Sequence, residues 1–142
     1  MQTAARPITR QRLIETHQLI PATDGIAADF GLTLPVAYSL AVWHDAIRWP
    51  ALWTAPPDLP QQEWRREWYL LLSLYDVVQR HREEGRSAPA CLDFEHRRLP
   101  GGLEFVDSYP VALVAEMSPG DDGEQVITIM RSGQRVPWRR PC

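Results

Sequence analysis

Residues 59–84 read LPQQEWRREWYLLLSLYDVVQRHREE and form the longest uninterrupted helical pattern of this chain. Asp58 and Gln61 have the spacing of a capping pair, and Gly85 stands where a left-handed terminating residue is usual. Apolar residues recur at helical spacing along one broad stripe, which comprises Trp64, Trp68, Leu70, Leu71, Leu74, Tyr75, Val77 and Val78. Because the stripe is broad, the pattern predicts a central helix that packs on two sides.

Three shorter helices are predicted before this one, over residues 9–19, 24–30 and 33–49. In the third, one apolar stripe advances by steps of four, three and four, through Val36, Leu40, Trp43 and Ile47. Residues 50–60 contain four prolines, and a segment that rich in proline cannot propagate a helix. An ordered connector or loop is therefore predicted between the third helix and the long one.

Towards the C-terminus the apolar pattern changes from a helical period to a period of two. Between residues 92 and 97 apolar side chains alternate with charged ones, which is typical of a half-buried strand. Two further strands are predicted over residues 111–117 and 126–130, because turn-forming residues separate these segments. The three strands are expected to form an antiparallel meander.

These patterns together predict one α+β domain over residues 1–142. Its helical N-terminal two-thirds, of about four helices, is expected to pack with a C-terminal three-stranded antiparallel sheet. Residues 131–142 carry four arginines and no acidic residue. They are expected to form a flexible basic tail.

The composition indicates a cytoplasmic protein. No apolar run approaches the roughly 18 residues that a membrane-spanning helix needs, and no secretory signal pattern is present. The two cysteines, Cys91 and Cys142, are too few and too unfavourably placed for a disulfide framework. Both are therefore predicted to be free thiols in a reducing compartment.

Charge is distributed unevenly, although the net value is only −3. Residues 90–130 carry eight acids against two arginines, and the tail that follows is purely basic. A general nucleic-acid binder would show a basic face or a high isoelectric point, so that class is disfavoured. Contact with nucleic acid is expected only through the tail arginines, which are Arg131, Arg135, Arg139 and Arg140.

Signatures of catalysis are scarce. The chain has no Gly-rich phosphate loop, no Gly-x-Ser-x-Gly elbow, no Cys-x-x-Cys and no His-Glu-x-x-His. The dipeptide His44-Asp45 could bind a metal ion only if it converged with further ligands, such as Asp121 and Asp122. A metal-dependent hydrolase built on these residues is kept as an alternative. The favoured prediction is a non-enzymatic protein with no catalytic residue, no metal site and no cofactor.

Tryptophan and arginine are concentrated around the long helix, with five of the six tryptophans within residues 43–68. These two residue types are enriched at the energetic centres of protein interfaces. One interpretation is that the tryptophans are core residues, packed where the proline connector meets two helices. The other is an exposed partner-binding patch, for which the candidates are Trp49, Trp53, Trp64, Arg48 and Arg65.

The acidic connection between the last two strands is a second candidate contact surface. Asp121, Asp122 and Glu124 could present negative charge to a basic partner and raise the association rate. These residues are also what a tight surface turn prefers, and charges along a sheet discourage aggregation of its edge. Both interpretations remain open from the sequence.

Four segments of the chain look familiar. They are Thr9-Arg10 at the start of the first helix, residues 34–37, Ala41-Val42-Trp43 continuing to Trp49-Pro50, and residues 119–124 leading into 126–130. Through these segments the chain resembles, over roughly residues 9–130, an uncharacterised family of small proteins found on bacterial plasmids, phages and integrated elements. The resemblance implies an accessory gene of a mobile element and supplies no catalytic residue.

The scarcity of enzyme motifs, the Trp/Arg-rich region and the resemblance together predict a non-enzymatic accessory protein that binds a host or element protein. Inhibition of a defence system such as restriction or CRISPR would be one role of that kind. The alternatives are the metal-dependent hydrolase and a small regulator that contacts DNA through the basic tail.

Overall fold

The computed structural model describes residues 8–49, 55–97 and 110–134. Three α-helices, one 3-10 helix, one π helix and five strands lie within these ranges. In chain order they are α1 (Arg10–Glu15), β1 (Leu19–Pro21), the 3-10 helix (Ala27–Phe30), β2 (Val36–Ser39), α2 (Leu40–Val42), the π helix (Trp43–Ile47), α3 (Leu59–Glu83), β3 (Cys91–Arg97), β4 (Pro110–Pro119) and β5 (Gln125–Arg131).

The strands form one five-stranded mixed sheet in the order β1-β2-β5-β4-β3. β2 runs parallel to β5, and the other three neighbouring pairs are antiparallel. The prediction of a three-stranded antiparallel sheet is therefore wrong. The predicted C-terminal strands correspond to β3, β4 and β5 and pair as expected, but β1 and β2 extend the sheet beyond them.

The predicted third helix fails at its beginning because residues 36–39 form β2 instead. All four residues of β2 are buried, since Val36 and Tyr38 belong to the main core and Ala37 on the other face packs with Leu13 and Leu19. A strand covered on both faces shows no polar alternation that would distinguish it from a helix. Ser39 then caps the helical segment that follows, its Oγ accepting a hydrogen bond of 3.3 Å from Val42 N.

The two predicted N-terminal helices are shorter than expected. α1 begins after Thr9, whose Oγ1 accepts a 3.1 Å hydrogen bond from Arg12 N, and it ends at Glu15 so that Leu19 can enter β1. The second is only the four-residue 3-10 helix, terminated by Gly31 at φ +71°. The prediction of about four helices is therefore wrong, because α3 is the only long one among the described residues.

α3 begins and ends within one residue of its prediction and packs on one face of the sheet. Leu70, Leu71 and Leu74 are at most 2% exposed and belong to the main core, which includes Tyr38 of β2 and Ile129 of β5. Burying a large apolar side chain completely contributes about 1.5–3 kcal/mol. The position of α3 is thus fixed by its leucines, and its other side remains available for contacts.

Two predictions concern the cellular environment of the chain: the absence of a membrane-spanning helix and the free state of the cysteines. No helix among the described residues is long and apolar enough to cross a bilayer. Cys91 is disulfide-bonded, so the prediction of a free thiol at this position is wrong. Because disulfides persist mainly in oxidising compartments, the cytoplasmic location loses its cysteine argument and stays a prediction.

Candidate functional site

The predicted partner-binding tryptophans and arginines lie around the first turns of α3. Trp64 is 43% exposed, and Arg65 beside it is exposed as well. Arg48 is exposed and Trp49 half-buried where the chain leaves the π helix. Trp53 lies outside the described residues.

Two side chains of α3 hold the end of the π helix in place. Arg66 is 4% exposed, and its Nε donates a 3.1 Å hydrogen bond to Ile47 O. Glu63 Oε2 accepts one of 2.7 Å from Trp49 N. Since Glu63 and Arg66 flank Trp64 and Arg65 in the sequence, these bonds bring Trp49 to the same end of α3.

A buried carboxylate makes this end of α3 rigid. Glu67 is 1% exposed and accepts hydrogen bonds from Thr23 N at 2.9 Å, from Thr23 Oγ1 at 2.6 Å and from Tyr38 Oη at 2.8 Å. Burial raises the pKa of Tyr38 well above its ordinary value, and the charge and hydrogen bond of Glu67 raise it further. The phenol therefore stays protonated and donates to Glu67, which ties α3 to β2.

Aromatic rings follow one another along the outer side of α3. The Phe30 ring lies 5.1 Å from that of Trp68 and 5.9 Å from that of Tyr75, and the Trp68 ring stands edge-on to Tyr69 at 5.3 Å. The Arg65 guanidinium lies 5.8 Å from the centre of the Tyr69 ring, within the range of a cation–π contact. We call this surface the aromatic face, comprising Trp64, Arg65, Trp68, Tyr69 and Tyr75 together with the buried Phe30 against which Trp68 and Tyr75 pack.

Most of the aromatic face was missed as a site by sequence reasoning, which assigned Trp68 and Tyr75 to the apolar stripe of the core. Both are half-buried and do pack against the core. The available signal was the spacing of Trp64 and Trp68 four residues apart, followed directly by Tyr69. Phe30 carried no such signal, because only the tertiary structure brings the 3-10 helix to α3.

A cavity of about 290 Å³ continues the aromatic face towards the C-terminal half of α3. Its lining includes Phe30 and Tyr75 together with Leu32, Leu74 and Val78. Asp29, Gln79 and Arg82 also line it, so it combines apolar surface with polar groups and one charge of each sign. Cavities that combine apolar surface with a few polar groups are typical of binding sites.

A larger cavity, of about 550 Å³, lies where α3 passes the end of the sheet and is lined by acidic residues such as Asp76, Asp93 and Glu95. Ser73 also lines it, and its Oγ lies 2.8 Å from His96 Nδ1. The Ser73 hydroxyl donates to Tyr69 O at 3.2 Å. The contact between Ser73 and His96 joins α3 to β3.

The acidic connection between β4 and β5 is engaged inside the molecule. Asp121 accepts hydrogen bonds of 2.9 Å from both Arg10 N and Gln11 N, so its carboxylate caps α1. Glu124 Oε2 accepts one of 3.0 Å from Asp122 N. Burial lowers the pKa of Arg10, while the charges of Glu124 and Asp121 partly offset this. The turn thus has a structural role, and its role in partner binding stays a prediction.

The candidate metal ligands do not converge. His44 Nδ1 lies 3.2 Å from Arg48 Nη1, whereas Asp121 caps α1. In the three described ranges there is no group of three or more His, Cys, Asp or Glu residues that could hold a metal ion. The described residues therefore offer no ligand set for the metal-dependent hydrolase, which stays an untested alternative.

Comparison of the chain with protein-family models, with curated proteins and with solved structures gives no match. The resemblance to a protein family found on mobile elements therefore remains a proposal. The function must be inferred from the geometry of the aromatic face itself.

Proposed function

We propose that this protein is a non-enzymatic accessory protein that binds another protein through the aromatic face. The observation that carries the proposal is the exposure of Trp64, at 43%, on a helix that buried hydrogen bonds of Glu67 and Arg66 hold in place. Tryptophan and arginine dominate the binding energy of protein interfaces, and both are exposed here side by side.

The anchoring of α3 favours binding because little freedom is lost on association. Glu67 ties the helix to β2 and to Thr23, and Glu63 and Arg66 tie it to the segment after the π helix. Trp68 is held against Phe30. Surfaces that are already ordered avoid the cost of immobilising side chains, which otherwise reduces affinity.

The resemblance to proteins of plasmids, phages and integrated elements supports a host or element protein as the partner. A component of a host defence system fits this context. The net charge of −3 favours a protein over nucleic acid, since nucleic-acid binding relies on concentrated positive charge.

Capture from a bacterial lysate tests the proposal, with tagged wild type, Trp64→Ala and Met117→Ala as baits. Met117 is the matched control, because it is 41% exposed and apolar but lies on β4. We expect wild type and Met117→Ala to enrich the same partner in stoichiometric amount, and Trp64→Ala to retain about a tenth of it or less. Equal enrichment by all three baits would contradict the proposal.

A further inference from the structure

α3 carries a second pattern on the side opposite its core leucines, and Asp76 at the edge of this side also lines the cavity beside β3. Arg65 and Asp76 are exposed, and Trp68, Tyr69 and Leu72 between them are half-buried. These positions recur at helical spacing and lie opposite the leucines of the core. An apolar centre is thus bounded by a positive charge on one side and a negative charge on the other.

The two charges are placed symmetrically along the helix. Arg65 lies as far before the midpoint between Leu70 and Leu71 as Asp76 lies after it. At a rise of 1.5 Å per residue the two positions are roughly 16 Å apart along the axis, too far to pair within one helix. If a second α3 lies antiparallel about this midpoint, Arg65 of each copy stands opposite Asp76 of the other.

We infer that two copies of this chain pair through α3 in this antiparallel arrangement. The inference goes beyond the proposed function, since a second copy of the chain would cover Trp64 and Arg65 and would compete with a partner protein for the aromatic face. A two-fold contact of this kind uses the same surface on both copies and closes on itself, so it forms a dimer and no larger assembly.

The charges of the monomer fit this pairing. Neither Arg65 nor Asp76 forms an ion pair with another described residue, whereas Arg86 and Glu84 form one. Arg65 instead lies over the Tyr69 ring. In the antiparallel pair both arginines meet carboxylates, whereas a parallel pair in register would set Arg65 against Arg65 and Asp76 against Asp76.

The apolar positions fit as well. The same symmetry places Leu72 opposite the partner's Tyr69, so that water is excluded between the two ion pairs. Trp64 comes level with the partner's Val77, next to the 290 Å³ cavity that Tyr75 and Val78 line. Trp64 and Tyr75 lie on the same side of the helix, because they are separated by about three turns. The exposed indole of each copy therefore faces the cavity of the other.

Analytical ultracentrifugation of the full chain over a wide concentration range tests the inference. We expect wild type to show a monomer–dimer equilibrium. Arg65→Asp and Asp76→Arg should each weaken it about tenfold or more, because each variant sets two like charges together twice. Arg12→Asp, at an exposed position of α1, makes the same charge change elsewhere and should leave the equilibrium unchanged.

The decisive arm mixes the two weakened variants. Of the dimers that the two variants can form, only the mixed one sets every charge against its opposite, so mixing should restore association to near the wild-type level. The doubly exchanged Arg65→Asp, Asp76→Arg chain should also associate at near the wild-type level. A wild type that stays monomeric at every concentration overturns the inference, and so does a mixture no stronger than its components. A monomeric wild type that still captures a partner through Trp64 overturns this pairing alone and leaves the proposed function standing.

Discussion

The Tyr38 hydroxyl donates a 2.8 Å hydrogen bond to Glu67 Oε2, and both side chains are at most 1% exposed. The bond joins β2, which sequence patterns did not reveal, to α3, which they did. Tyr38→Phe removes the donor and leaves part of a buried carboxylate unsatisfied, so we expect a loss of about 1–3 kcal/mol in the free energy of unfolding. Urea denaturation of the two proteins at neutral pH measures it, and an unchanged midpoint would contradict the assigned role.

The same tyrosine should make stability depend on pH in the alkaline range. Its pKa is raised in the folded protein, so above about pH 10 the unfolded chain loses this proton while the folded chain keeps it. Its contribution to stability is therefore complete below pH 10 and is lost as pH rises further, by up to about 1.4 kcal/mol per pH unit. Denaturation midpoints across this range should fall more steeply for wild type than for Tyr38→Phe, and parallel curves would show that the shift is absent.

Asp121 should matter for stability in a way that its neighbour Asp122 does not. Asp121→Ala removes the carboxylate that accepts hydrogen bonds from two amides at the start of α1. Loss of a helix cap costs about 0.5–2 kcal/mol. Thermal or urea unfolding of Asp121→Ala and Asp122→Ala provides the comparison. If both variants lose the same amount, the capping role is wrong.

Among the described tryptophans, Trp64 should contribute most to the fluorescence that a soluble quencher can reach, because the other three are half-buried. Acrylamide titration of wild type and Trp64→Phe, at a concentration low enough to keep the chain monomeric, isolates its contribution as the difference between the two. We expect the substitution to remove a readily quenched component of the emission. A quenching curve that Trp64→Phe leaves unchanged would mean that the indole is covered in solution.

The sequence predicts the elements that are amphipathic and delimited by capping residues. α3 shows a long helical stripe between Asp58 and Gly85, and β3 alternates between apolar and charged side chains. β2 shows neither signal, because Val36–Ser39 is buried on both faces. Its parallel partner β5 lies about ninety residues later in the chain, and no local pattern reports such a pairing.

The candidate site is only partly visible in the sequence for a related reason. Trp64 and Arg65 were identified from residue type, and they lie at the aromatic face. Phe30 belongs to it only because the fold packs the 3-10 helix against Trp68. Asp121 was assigned to a contact surface from its charge, whereas its hydrogen bonds to α1 span more than a hundred residues of sequence.

The most direct test of the aromatic face as a protein-binding surface is the affinity of the captured partner for wild type and for Trp64→Ala. Isothermal titration with the purified partner gives this ratio, and Met117→Ala serves as the control. We predict a loss of about 2 kcal/mol or more for Trp64→Ala, roughly thirtyfold in the dissociation constant, and no change for Met117→Ala. Equal affinities of wild type and Trp64→Ala would contradict the central claim.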